Sequence, residues 1–353
     1  GGSAGTGRGA RWAIAAWLWA LTALVAVMVM VGGLTRLTDS GLSMTSWHPV
    51  IGALPPLSDA DWAAAFDDYK TTTEFQVQNS AMTLAEFKPI FWWEWGHRQL
   101  GRLIGLVWGI GLAAFLVRRA VPPGWTAWLV LPGALGGVQA VIGMWMVDSG
   151  AGRLDVASYR LAIHLGVAFV IFAMLIWLAR RIALPETEAM QARRRRVGGR
   201  AFVLAFSGLV GVQILVGALV AGVDAGQSYI DWPLMSGQLF PASAFDLEPF
   251  WTNFFENPGL VQFIHRKLGY VTLALGLVIA WRLIRRSERA IRRHGYALAG
   301  ILVAQTVVGI ATVLHAAPLE IAIWHQAGGL ALAGALVSTA YVMAYPPATR
   351  LSA

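Results

Sequence analysis

The sequence predicts an all-α integral membrane protein: eight transmembrane helices forming two four-helix bundles related by a pseudo-two-fold axis. Three observations carry this. Of the 353 residues, 57% are hydrophobic and 13% charged, against about 25% charged in a soluble domain. Apolar stretches long enough to cross a ~30 Å hydrocarbon core recur eight times. The second half of the chain also repeats the first, and four spans per half return it to its starting side, so the repeat is parallel.

The spans read as 12–33, 90–117, 125–147, 159–180, 201–223, 259–284, 296–317 and 320–344. Backbone groups in lipid must be satisfied within the segment, which makes such continuous runs helices. The first run is too long for a cleaved signal peptide. Residues 1–10 are small and flexible in character. The first half then covers 11–183, including a long loop at 34–88. That loop holds an amphipathic helix near Ser58–Tyr69, with Ser58 as N-cap. A basic linker spans 184–200, the second half 201–346 and a short tail 347–353. The loop at 224–258 is acidic and aromatic, suited to capping a site or lying in the membrane interface.

Charge sets the orientation. Alternate loops and both termini hold eighteen of the 27 basic residues and three of the 19 acidic ones. The positive-inside rule therefore places both termini in the cytoplasm, or in the matrix for an organelle. The net charge of +8 reflects this topology and contact with anionic membrane lipid, with no nucleic-acid partner. The chain contains no cysteine, which excludes disulfide, iron–sulfur and thiolate chemistry.

The repeat is detailed. Gly32-Gly33-Leu34, Asp39, Gly41 and Trp47 match Gly217-Ala218-Leu219, Asp224, Gly226 and Trp232 at a constant offset of 185. Gln139 and Gly143 match Gln305 and Gly309 at offset 166. His97 matches His265, and His164 matches His325. Drift between these offsets falls in loops, as in a duplicated unit with insertions.

The four histidines lie within about two turns of the outer ends of their spans. Ionisable groups inside membrane helices are costly and point to function. In each half they come from the second and fourth helices, and facing histidines are how four-helix bundles hold cofactors. Two per half are too few for zinc or copper alone, whereas two axial imidazoles complete a haem iron. Gly101 and Gly269 follow His97 and His265 by four residues on the same face. Gly329 stands likewise after His325, and Ala168 after His164, leaving room for a flat macrocycle. Arg98 and Arg266 are candidates for haem propionates. The alternative for any one histidine is a core side chain hydrogen-bonded to a neighbouring helix. His48, His294 and His315 have no such matched context and are read as non-ligands, His315 being the strongest exception.

Glu94 lies one turn outward from His97, on the same helix side. Burial there poises a carboxyl for proton transfer or as a base toward water. The alternative is an interfacial acid paired with Arg98 or Arg102. Gln262 holds the same register and cannot titrate. That difference makes the first half the candidate chemical site and the second an electron-transfer haem.

Several motifs together resemble the heme A synthase family over nearly the whole chain. They are Gly32-Gly33-Leu34-Thr35-Arg36-Leu37-Thr38, Ser40-Gly41-Leu42-Ser43, Trp47, Gly52, Pro55-Pro56, Phe87-Lys88, Glu94-Trp95, His97-Arg98, Leu100-Gly101-Arg102, Gln139, Gly143, Met146-Val147, Ser149-Gly150 and Trp324-His325-Gln326. The resemblance is closest to the cysteine-free mitochondrial and alphaproteobacterial branch. It implies an enzyme that oxidises the C8 methyl of heme O, through a hydroxymethyl intermediate, to the formyl group of heme A. The product serves aa3-type terminal oxidases in the bacterial inner membrane. By resemblance, His97 and His164 flank the substrate haem, and His265 and His325 ligate a resident haem b. Glu94 matches the essential carboxylate, and Arg36 joins Arg98 and Arg266 as a pocket candidate. Heme O synthase and oxidase assembly factors are the implied partners. The glycine face Gly101, Gly105 and Gly109 leaves a homo-oligomer open. Rival readings are a diheme electron-transfer cytochrome and a non-enzymatic haem chaperone. Some bacterial members carry a cysteine pair in the first outer loop, and its absence here rules out a thiol relay.

Overall fold

A computed structural model describes residues 7–348 other than 46 and 48–50. His48 lies outside the described residues. Eight helices are long and apolar enough to cross a membrane, and no strand occurs among the described residues.

Helix α1 (Arg8–Leu37) begins inside the stretch 1–10 expected to be flexible. Its first turn is held down: Arg8 pairs with Glu188, and Arg11 Nη1 donates to the Ile182 carbonyl at 3.2 Å. The following loop carries α2 (Asp59–Lys70) and α3 (Thr73–Val77). Ser58 caps α2 in a reciprocal capping box with Asp61, as its position before the apolar run predicts. Trp62, Phe66 and Tyr69 of α2 pack on Phe87 and Phe91, giving the loop its own aromatic core. Inside it, Tyr69 donates to the buried Glu74 at 2.9 Å, and burial pushes that carboxyl up to about 7.

A second capping box, Thr83 with Glu86, starts α4 (Leu84–Val117) six residues before the predicted apolar run. Helices α5 (Thr126–Asp148) and α6 (Ser158–Ala183) complete the first half. The basic linker contains α7 (Glu186–Arg194), and α8 (Arg200–Gly222) opens the second half. After two short turns, α9 (Ala225–Ser228) and α10 (Asn253–Glu256), come α11 (Pro258–Ile284), α12 (Arg289–Leu314) and α13 (Leu319–Ala344).

The first and fourth long helices of each half form the centre. α1 packs on α4 and α6, α8 packs on α11 and α13, and across the seam α6 meets α8 and α13 while α1 meets α13. Burial follows this order. In the most apolar stretch of each helix, 39% of α1 and α6 and 44% of α13 is buried, against 6% of α4 and α5, whose remaining surface is left for lipid.

The halves differ at one seam. α11 and α12 pack along each other, while α4 and α5 touch only lightly. Leu273 and Leu302 of the second half contribute to a buried core. At the same registers of the first half stand Gly105 and Gly136, where a Cβ would meet nothing within 4 Å. Leucines fill the one seam by dispersion contact, whereas the other carries glycines at these registers and is bridged further along by Trp108, which donates to the Leu129 carbonyl at 3.0 Å.

Candidate functional site

The histidines that the repeat pairs are set in one recurring way. Each ring lies edge-on against a glycine of a neighbouring helix. A Cβ at Gly32 would stand 3.0 Å from His97 Cε1, at Gly143 3.3 Å from His164, at Gly217 3.0 Å from His265 and at Gly309 2.7 Å from His325. In each case Nδ1 turns toward the glycine, leaving Nε2 as the farther nitrogen. All four Nδ1 atoms are buried without a hydrogen-bond partner.

Glutamines fix three of the ligand helices at the histidine itself. Gln139 donates to the His164 carbonyl at 2.7 Å, Gln213 to that of His265 at 3.0 Å and Gln305 to that of His325 at 2.8 Å. The His97 site has Met28 where the repeat places Gln213. A Cβ at Gly101 would stand 3.1 Å from the Met28 methyl, and one at Gly269 3.3 Å from the Gln213 amide. These glycines thus admit the neighbouring helix. Gly329 has only Phe169 near it, at 3.9 Å.

The His265 and His325 ring centres are 6.3 Å apart with their planes at 85°. Two metal–nitrogen bonds of ~2 Å, with about 1 Å from each nitrogen to its ring centre, span roughly 6 Å. The pair is therefore spaced to hold one iron between its imidazoles, as a bis-histidine haem requires. Among the described residues no group of three or more metal-ligating His, Asp or Glu side chains comes together.

One turn before His97 and His265, each half staples the preceding loop to the ligand helix with a matched pair. In the first half Glu94, 3% exposed, accepts from Ser43 Oγ at 2.8 Å and Met44 N at 2.7 Å, and its other oxygen accepts from Arg98. Arg98 also donates to the Met44 carbonyl at 2.7 Å. In the second half the polarity is reversed. Gln262 donates to the Ala225 and Tyr229 carbonyls at 2.6 and 3.1 Å and accepts from Arg266 at 2.9 Å. Arg266 donates further to the carbonyls of Tyr229, Asp231 and Leu234. The loops are built to suit an acceptor at 94 and a donor at 262. Both arginines, read from sequence as propionate candidates, have bonds to loop carbonyls and to the residue four before them.

Arg36 sits among carboxylates from three loops: Asp39 and Asp224 at 2.7 Å and Asp155 at 3.5 Å. Burial pushes Asp39 and Asp155 up against the pull of this one guanidinium. Arg36 thereby ties the first half to the second. Arg153 with Glu256 at 3.0 Å, and Ser158 with the Phe255 carbonyl at 2.7 Å, do the same. His294 and His315 each turn Nδ1 to the carbonyl four residues back and do not join the pairs.

The sequence reading missed the four glycine seats as such. Their signal was present, since Gly32/Gly217 and Gly143/Gly309 are repeat matches, but nothing in the spacing says which helix they face. It also missed the work of Gln326, whose amide donates to the Val29 carbonyl at 2.5 Å and occupies the space that a Cβ at Gly33 would need. Gln326 follows His325, and Gly33 follows the His97 seat, so one side chain joins the two histidine centres.

The seats carry a prediction. Gly309→Ala, at 2.7 Å, forces the His325 ring to move, whereas Gly143→Ala, at 3.3 Å, needs a shift of a few tenths of an ångström. Haem titration of purified variants is expected to show at least a tenfold loss of second-half affinity for Gly309→Ala, with a smaller first-half effect for Gly143→Ala. Equal haem content in the Gly309 variant and the parent would refute the seat.

A profile of the COX15-CtaA family, described as cytochrome oxidase assembly protein, matches residues 15–337. The heme A synthase of Ruegeria pomeroyi is 54% identical over 350 residues, covering 97% of this chain and 92% of that protein. Those of Dinoroseobacter shibae and Paracoccus denitrificans are 53% and 49% identical over 346 and 345 residues, each covering 90% of the relative. With an end-to-end match on a bundle whose histidines are paired in this way, the chain belongs to the COX15-CtaA family, alongside its alphaproteobacterial heme A synthases.

Proposed function

We propose that this chain converts heme O to heme A, oxidising the C8 methyl to a formyl group by way of a hydroxymethyl intermediate. The similarity to heme A synthases over 97% of the chain carries the reaction. In this reading His97 and His164 flank the substrate haem in the first half, and His265 and His325 hold a resident haem b in the second. When bound, haem b supplies one-electron chemistry. Two asymmetries support the division. The first half has a carboxylate at 94 where the second has an amide, and its α4–α5 seam is lightly packed where α11–α12 is tightly packed. A lightly packed seam between spanning helices suits a substrate with a long apolar tail.

The chain's own groups then have distinct tasks. The glycine seats set the imidazole planes, and the glutamines hold the ligand helices. Glu94 manages protons or water beside the reacting carbon, at a position fixed by Ser43, Met44 and Arg98. The basic end lies in the cytoplasm and the histidines toward the outer face of the bacterial inner membrane. Because all four histidines lie near the same end of the bundle, a carrier that staggers haems across the bilayer is disfavoured.

The test is conversion. Membranes that contain heme O but no heme A are expected to accumulate heme A once the chain is expressed, and the purified protein to yield haem b with heme O or A on extraction. Haem b alone at both sites, with no heme A formed, would overturn the assignment in favour of an electron carrier.

A further inference from the structure

A cavity of ≈ 730 Å³ opens at the basic end, remote from the histidines. Its volume falls within the ~300–1,000 Å³ of sites that take a small organic molecule. It lies on the seam of the two halves, between the end of α6, the α7–α8 linker, the start of α8 and the end of α13.

The lining has two characters. One side is basic: Arg193, Arg196 and Arg200 face the cavity, and no acidic residue lines it. The nearby linker acids are engaged elsewhere, Glu186 by Arg181 and Glu188 by Arg8. Arg200 Nε is buried without a hydrogen-bond partner. The start of α8 adds its partial positive charge, with Gly199 as N-cap and no side chain capping it. The other side is apolar and aromatic. Trp177 and Tyr345 form a tilted ring pair, the Arg200 guanidinium lies 5.5 Å from the Trp177 ring, and Arg193 donates to Tyr345 Oη at 2.9 Å. Trp177, half-buried, belongs to the spanning helix α6, and the buried Met343 of α13 forms the apolar floor beneath it.

We propose that this cavity binds an anionic phospholipid. Its phosphate is held by Arg193, Arg196 and Arg200 at the start of α8, and its acyl chains leave along Trp177. Guanidinium forks match phosphate oxygens, and basic pockets between helices at the cytoplasmic side are where such headgroups bind. A free phosphate would use the arginines alone and leave the apolar wall without purpose. A lipid held here touches both halves and strengthens their seam.

The test uses the full chain in nanodiscs of phosphatidylcholine with or without phosphatidylglycerol or diphosphatidylglycerol, read by co-purifying lipid and by Tm. The parent is expected to retain anionic lipid and to melt higher with it. Arg196→Gln alters an exposed side chain and threatens no fold. At ~1 kcal/mol per basic group it should weaken retention about fivefold, and the triple Arg193/Arg196/Arg200→Gln variant about 100-fold. The control Arg118→Gln/Arg119→Gln, at the same end outside the cavity, should retain lipid as the parent does. Unchanged retention in Arg196→Gln and the triple variant would overturn the proposal, as would an equal loss in the control. Inorganic phosphate that raises Tm as far as the lipid does would also overturn it, by showing a soluble ligand.

Discussion

Replacing His265 or His325 with alanine is expected to remove the resident haem and lower heme A formation by at least 100-fold. The expectation rests on the 6.3 Å between the two ring centres, a spacing at which each imidazole would hold one side of a single iron. Losing one leaves a five-coordinate or empty centre. The low-spin bis-histidine signal in electron paramagnetic resonance should vanish, and haem content by pyridine haemochrome should fall by about one equivalent. His97→Ala and His164→Ala should also stop conversion but keep that signal, since their seats, Gly32 and Gly143, lie in the other half. The four variants together test the division of labour. The assignment of halves would fail if the low-spin signal disappeared with His97 or His164 and survived loss of His265.

The second large effect is at Glu94. Glu94→Gln is expected to reduce conversion by about 100-fold or more, the scale of a lost proton-transfer group, with the second-half haem unchanged. The structure adds a reason why an amide cannot take over. Ser43 Oγ, Met44 N and Arg98 all direct donors at the two carboxylate oxygens. An amide offers one acceptor oxygen, so its NH2 must face a donor. Glutamine is accommodated at 262 because the loop there presents the Ala225 and Tyr229 carbonyls instead. Gln262→Glu should accordingly destabilise the second half without creating a second active site. Glu94→Ala is a poorer test of chemistry. It leaves Arg98, 9% exposed, without its carboxylate, which costs on the order of 3–5 kcal/mol and loosens the loop. Full heme A formation by a folded Glu94→Gln protein would remove Glu94 from the reaction and leave it only as the loop staple.

Much of this architecture was legible in the chain itself. Length and continuity of apolar runs fixed eight helices, because lipid leaves the backbone few alternatives. Capping pairs marked α2, whose Ser58 start was read directly. The start of α4 was misjudged by six residues because Thr83 and Glu86 extend the helix into polar sequence. A hydropathy pattern registers where lipid ends, whereas a capping box decides where the helix ends. The start of α1 at Arg8 was hidden for a related reason, since its anchors, Ile182 and Glu188, are distant in sequence.

Repetition within one sequence determined which histidines belong together and that position 94 differs in chemistry from 262. These are properties of residue type and register, and a duplicated chain displays both without folding. Partnership across helices was decided only by the tertiary structure. It set Gly309 against His325, turned Arg98 and Arg266 to loop carbonyls, placed Arg36 among three aspartates and sent Gln326 across to α1. It also packed α11 closely on α12 while leaving α4 and α5 in lighter contact. Periodicity gives the face of a helix on which a residue lies, but the rotation and neighbour of that face depend on how all eight helices pack at once.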